Sequence, residues 1–344
     1  MQGLVQMNPP DVVELTLQLC RIPSVTGQEA QVVRFVQQRL QQLGFNVAFQ
    51  PVGHEQGRGN LLAHWPDCHP RILLTTHLDT VAPHFDPVVA DDQQRLIGRG
   101  TCDAKGIAAA MMCAACRLLQ RGQTDVGLLL LVGEETNSDG AKAAVHNFAP
   151  HVSYLIGGEP TELKLVQAMK GSVVFQLHCH GKAAHSAYPH MGHSALHDLV
   201  LDIQRLLCID WPCHKELGDT TINVGLLQGG CAVNVLAAQA EAHGIVRCSV
   251  PAHQVVALLQ QQLGAATQLQ VKSMSDPLQL YCPAGFDSCV VAFGSDIPYL
   301  KQLGPSLLVG PGCIHDAHTD HEFVLVEHLH QAVKLYQKLC EILV

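Results

Sequence analysis

Apolar residues recur at helical spacing through residues 10–22 and again through 28–43, and Gly44 stands where a helix would stop. Extended pieces follow: FNVAFQPV (45–52), NLLAHW (60–65) and RILLTTHLDT (71–80). An Ala-rich stretch over roughly 104–121 reads as a helix closed by Gly122. VGLLLLV (126–132), SYLIGG (153–158) and PSLLVGPG (305–312) are short, apolar and bounded by glycine, the pattern of strands buried on both faces of an α/β sheet. A last helical pattern fills about 324–343.

A different block lies between. Its pattern is strand (172–180), helix (194–208), strand (220–227), strand (237–248), helix (251–264) and strand (267–274). That β-α-β-β-α-β order is ferredoxin-like. The sequence therefore predicts an α/β domain in two pieces, 1–168 and 276–344, with a smaller α+β domain over 169–275 inserted in it. A length of 344 residues agrees with two domains.

Composition narrows the function. Hydrophobic content of 47% with 15% charged residues describes a globular protein. The net charge of −9, with no basic stripe, argues against nucleic acid as a partner. The longest apolar runs, near 107–116 and 127–132, fall short of the ~20 residues that span a bilayer, so no membrane is expected. The opening MQGLVQMNPPDVVELTLQLC has no basic segment before a long apolar run, so no secretory signal is expected, and the scattered cysteines suggest a reduced cytoplasmic setting. The 14 cysteines are scattered through apolar segments. CxxC spacing occurs once, at Cys113 and Cys116, inside the Ala-rich helix and without a second pair, so it reads as packing. The 21 histidines permit a metal site without proving one.

The apolar strands end in residues that bind metals. LLTTHLDT delivers His77 and Asp79, LLLLVGEE delivers Glu134 and Glu135, YLIGGEP delivers Glu159, and the segment after LLVGPG delivers His318. GRGTCDAKG places Asp103 just before the Ala-rich helix. In open α/β sheets ligands bind beyond the carboxyl ends of the strands, so one face of one domain would gather these groups. Imidazole and carboxylate donors suit zinc, with cobalt or manganese possible. His77 and Asp79 are two apart in a strand, which would point both side chains one way and let Asp79 hold the second ring nitrogen of His77. Each residue also has a plainer reading. His77 could be a hydrogen-bonded core histidine, Glu134 and Glu135 a solvated turn, Asp103 a helix cap and Glu159 a loop charge. Their joint occurrence at successive strand ends favours the metal reading.

TTHLDTV, GRGTCDAKG, VGEETNSDG, GGEPTE, GKAAHSAYPHMG and GPGCIHDAHTDHEF resemble, in order, the motifs of the dinuclear zinc peptidase family that includes acetylornithine deacetylase, succinyl-diaminopimelate desuccinylase, aminoacylases and glutamate-type carboxypeptidases. The resemblance covers nearly the whole chain. It implies a zinc-peptidase-like catalytic domain with an inserted lid and dimerisation domain. His77, Asp103 and Glu159 would hold one ion and Asp103, Glu135 and His318 the other, with Asp103 bridging. Asp79 would orient His77, and Glu134 would be the general base. His321 competes with His318, but the family places its histidine four residues before a glutamate, here Glu322. His185 is similar to the histidine that reaches a neighbouring subunit's site, while Asn234 and Arg247 resemble residues that bind a substrate carboxylate.

The implied reaction is amide hydrolysis by an activated water, with Glu134 taking its proton and handing it to the departing amine, and His185 helping to stabilise the oxyanion. In the resembling family a glutamate at position 159 goes with deacylases and carboxypeptidases, and chain length and the GPGCIHDAH segment are most similar to acetylornithine deacetylase and its close relatives. The expected substrate is an N-acyl amino acid such as N-acetylornithine, losing a short acyl group, and the expected assembly is a homodimer through the inserted domain. A dipeptidase or carboxypeptidase on the same site is the rival, and a silent binding protein a distant third. Departures from the family pattern, such as Ala104, Ile107, Ser194 and Ile245, touch no expected metal ligand.

Overall fold

The computed structural model describes residues 9–343; residues 1–8, part of the opening segment read for a leader, lie outside them. The chain divides into two compact units. One comprises the residues up to Gln167, Leu280–Cys289 and Ser295 onward; the other comprises Ala168–Gln279 and Val290–Gly294.

The first unit has a mixed α/β fold around a six-stranded sheet. Its strand order is Asn46–Pro51, Gly59–His64, Val126–Leu131, Ile72–His77, Tyr154–Gly157 and Ser306–Leu308. The last four run parallel, and the first two are antiparallel additions at one edge. Ile72–His77 and Val126–Leu131 are buried along their whole length, the condition that their unbroken apolar sequence anticipates. Helix Lys105–Gln120 packs against Val12–Cys20 and the final helix Val326–Ile342. Its small alanines and two cysteines vanish into that contact. Asp11 caps Val12–Cys20 by accepting the backbone N–H groups of Val13 and Glu14, both at 3.0 Å.

Several elements carry no periodic signal. Val88–Val89, Arg95–Ile97 and Phe323–Leu325 form a small separate sheet, Leu165–Met169 lies in another, and Asp139–Ala144 is a short helix. Runs of two to six residues are too brief to reveal a period. All fourteen cysteines are free thiols, and no described helix is long and apolar enough to cross a membrane.

The second unit is ferredoxin-like. Its antiparallel sheet has the order Thr221–Gly229, Gln239–Cys248, Gly171–His180 and Thr267–Ser275. Helices Ala195–Leu207 and Ala252–Gln262 contact this sheet, and Val173, Phe175, Leu177 and Cys179 are buried in the core that the two layers share. Gln176 and His178 alternate with those core residues and interact with Glu241 and His243 on the neighbouring strand.

Candidate metal centre and active site

Buried parallel strands expose their chemistry only where they stop, and the first of them stops at His77. The imidazole is 1% exposed. Its Nε2 lies 3.1 Å from Asp103 Oδ1. Its Nδ1 lies 3.0 Å from the backbone carbonyl oxygen of Asp79 and 3.5 Å from the Asp79 carboxylate. Nδ1 thus faces both parts of Asp79, the main-chain carbonyl nearer and the carboxylate within ion-pair reach; burial would raise the Asp79 carboxyl, but the bond and charge of His77 hold it low. The same carboxylate also holds its neighbours in place. Oδ1 accepts the N–H of Glu134 and Oδ2 the N–H of Glu135, each at 3.1 Å, and Oδ2 also accepts the Thr26 hydroxyl at 2.7 Å.

Glu134 and Glu135 sit on a tight turn. Gly133 has φ +80°, and the N–H groups of Asn137 and Ser138 return to its carbonyl. A Cβ at Gly133 would fall 1.9 Å from Asp139 Oδ1. Asp139 forms a two-pronged pair with Arg58, at 2.8 and 2.9 Å, and Arg58 reaches Glu29 at 2.7 Å. Arg58, Asp139 and Thr26 thus brace the turn. Nothing in the local pattern around them announces this, because each partner is tens of residues away.

Asp103 precedes helix Lys105–Gln120 and faces two histidines. Its Oδ1 meets His77, and its Oδ2 lies 3.3 Å from His318 Nε2. His318, a non-glycine residue at φ +62°, also places Nε2 2.9 Å from Glu135 Oε2. His321, its competitor, is exposed and pairs with Asp320. Donor atoms of His77, Asp103 and Glu135 all lie within 4.8 Å of one another. Glu159 lies outside that tight set, buried beside a small cavity lined also by Thr75, His77, Asp296 and Leu308. Asp296 was not expected. It is 7% exposed, and neither oxygen meets a hydrogen-bond partner in good geometry, although the Ser138 hydroxyl lies close enough to draw its pKa down. Its only sequence hint is a lone acid in the FGSDIPYL segment.

The electrostatics describe acids crowded beyond what two imidazoles neutralise. Burial pushes Glu134 well above the usual carboxylate range, and Asp296 and Glu135 add to the push. Burial also lifts Glu159, aided by the charges of Asp103 and Glu134. Burial raises Asp296 to about 7 against the pull of His77. Asp103 goes the other way: burial would raise it, but the hydrogen bonds from His318 and His77 prevail and hold it low. Asp103 and Glu135 lift His318 to about 10. Cys102 is buried, its thiol pushed well up by burial and then by Asp103, which leaves no reactive thiolate there.

Hard and borderline divalent cations are what such a donor set accepts. Oriented carboxylates and imidazole nitrogens converge in a buried place, and their mutual repulsion falls when a cation enters. The cluster of His77, Asp103 and Glu135, with His318 against it, fits such an ion.

His185, Asn234 and Arg247 lie in the second unit. His185 is exposed and its Nδ1 accepts the N–H of Ala187 at 3.1 Å. Asn234 is its neighbour, because His185 bridges Val235 and the Asn234 carbonyl accepts the N–H of Ser186 at 2.9 Å. Arg247 is half-buried on strand Gln239–Cys248, opposite Ser172 and Thr221.

A parallel-sheet α/β unit that gathers acids and imidazoles, in a chain that also carries a ferredoxin-like unit, defines a hydrolase of metallopeptidase type. Residues 73–342 match the sequence signature described as peptidase family M20/M25/M40, and the chain belongs to that family. It is 34% identical over 337 residues to a peptidase M20 domain-containing protein of Schizosaccharomyces pombe, covering 96% of this chain and 84% of that one. It is 35% identical to a probable carboxypeptidase of Neosartorya fischeri, covering 97% and 87%. Among solved structures, a tripeptidase from Staphylococcus aureus aligns with a TM-score of 0.82 at 20% identity, over 98% of this chain and 99% of that one.

Proposed function

We propose that this hydrolase cleaves the amide of an N-acyl amino acid, releasing a short acid, acetate first, with N-acetylornithine as the type of substrate. The observation that supports it most is the convergence of His77, Asp103, Glu135 and His318, with Glu134 near enough to feel the charges of His77, Glu135 and Asp103. His77, Asp103 and Glu159 would hold one divalent ion, and Asp103, Glu135 and His318 a second. Zinc is the first choice, and cobalt or manganese suit the same donors. Bound there, the ions would supply Lewis acidity to the scissile carbonyl and to the attacking water.

The chain's own residues do the rest. Glu134 is the proton carrier: its carboxylate takes a proton from water, and the carboxylic acid so formed, which burial favours, releases it to the leaving amine nitrogen. Asp79 sets where Glu134 and Glu135 stand by holding both their amides. Asp103 keeps its charge because His77 and His318 flank it. We assign His185 to the developing oxyanion, in trans, and Asn234 and Arg247 to the substrate carboxylate, on the strength of the motif resemblance. In this reading the protein acts as a cytoplasmic homodimer joined through the second unit.

The name of the N. fischeri relative favours a second reading, cleavage of a carboxy-terminal residue or a dipeptide. The deciding assay takes acetyl-, succinyl- and formyl-amino acids beside a dipeptide and carboxypeptidase panel, after chelation and after metal is restored. Metal-restored turnover of the acyl-amino acids at least tenfold above that of the peptides supports the deacylase. The reverse ranking establishes the peptidase.

A further inference from the structure

The segment carrying His318 ends at Glu322, which is fully buried although it is a charged side chain. Its Oε1 accepts three backbone N–H groups, from Gly100 at 2.9 Å, Cys102 at 3.0 Å and Asp103 at 3.1 Å. Its Oε2 takes Arg99 Nη1 at 2.5 Å. Arg99 is buried too, donates Nε to the Pro83 carbonyl at 3.2 Å, and stacks over the Phe85 ring at 5.1 Å. The Glu322 carbonyl accepts the N–H of Gly98 at 2.9 Å. Gly100 adopts φ +87°, the left-handed conformation that glycine enters at least cost and that lets these amides converge on one oxygen.

The two loops meeting at Glu322 are those that bring Asp103 and His318 together. Asp103 itself donates one of the three amides. Its side chain then spans His77 and His318, four residues before the glutamate that holds its backbone. We propose that Glu322 is a positioning residue for the metal centre: its carboxylate builds the Asp103 loop into ligand geometry before any metal arrives and fixes the register between Asp103 and His318. The proposal rests on the dinuclear reading above. A buried carboxylate accepting three amides and a guanidinium is a strong, charge-assisted anchor. Only a charged acceptor with the length of glutamate satisfies all four donors at once.

The test uses metal alone. The full-length protein and its Glu322→Gln and Glu322→Asp variants are stripped by chelation and titrated with cobalt(II), followed by calorimetry and visible absorption. The native protein is expected to take up two equivalents. Glu322→Gln, which retains a carbonyl acceptor but loses the charge facing Arg99, is expected to bind the second equivalent at least tenfold more weakly and with an altered cobalt spectrum, at unchanged far-UV circular dichroism. Glu322→Asp, with the charge kept and the reach shortened, should fall between. Native affinity and spectrum in Glu322→Gln would overturn the proposal. Should the variants not fold, amide exchange in the metal-free native protein decides. Protection at Gly100, Cys102 and Asp103 before metal is added supports prior construction of the loop, and protection that arises only with metal refutes it. A native protein that fails to bind two cobalt ions instead sinks the dinuclear reading, a separate result.

Discussion

Asp79 and Glu134 are joined by a hydrogen bond in which Asp79 Oδ1 accepts the backbone N–H of Glu134 at 3.1 Å, and the second oxygen of the same carboxylate does the same for Glu135. One side chain therefore sets both the proposed proton carrier and a proposed metal ligand. In Asp79→Asn one oxygen becomes an amino group that faces an N–H donor. Such changes around metal ligands typically cost 10–100-fold in activity or affinity. The expected result is a kcat lower by about that range, with a loss of about 1–3 kcal/mol in unfolding free energy. Steady-state kinetics and urea unfolding check it, and a variant with native kcat would detach Asp79 from the site.

Glu134 makes the sharpest kinetic prediction. Glu134→Gln keeps the shape and removes the proton acceptor. Loss of a general base typically costs about 10²–10⁴-fold, so kcat should fall by that much while metal content, read by elemental analysis, stays native. Loss of metal instead would recast Glu134 as a ligand.

Asp296 should make the metal-free protein pH-sensitive. Its folded-state carboxyl is raised from 3.8 to about 7 by burial. The folded chain thus retains a proton that the unfolded chain gives up. Its favourable contribution is whole below pH ~4 and is lost as pH climbs toward ~7. Asp296→Asn has no charge to bury. In chelator it should exceed the native protein in stability at pH 8 by on the order of a few kcal/mol, and by much less at pH 5. Urea midpoints at the two pH values measure this, and an equal difference at both would refute it.

Gly133→Ala tests the turn. Position 133 has φ +80°, and a methyl group there would meet Asp139 Oδ1 at 1.9 Å, pressing on the pair with Arg58. Left-handed strain in a non-glycine residue alone costs of order 1–3 kcal/mol. A fall in melting temperature of several degrees, with weaker activity because Glu134 and Glu135 shift, is the expected outcome. A variant as stable as the native protein would show that the turn yields freely.

Much of this architecture was legible locally. VGLLLLV and RILLTTHLDT are buried strands because apolar runs of that length have nowhere else to go, and Gly122 and Gly133 mark an element's end where φ is positive. The candidate metal ligands could be named because His77, Glu135 and Glu159 lie where such strands stop, while Asp103 and His318 were named from motif order. What the local pattern did not show at Asp79 is that the carboxylate near His77 also accepts the amides of Glu134 and Glu135. Thr26, Arg58 and Asp296 stayed hidden because their roles are made by partners far along the chain.

By itself, then, the sequence determined the periodicities, the inserted ferredoxin-like block and the identity of the groups gathered at the strand ends, since these follow from local patterning and motif order. Only the tertiary structure decided which atoms meet: that Asp79 holds two amides, that Glu322 gathers three more, and that Asp296 is buried near the other acids without a partner in good geometry. Hydrogen bonds and burial are properties of pairs brought together across more than two hundred residues, as between Glu322 and Asp103, and no local pattern encodes that distance.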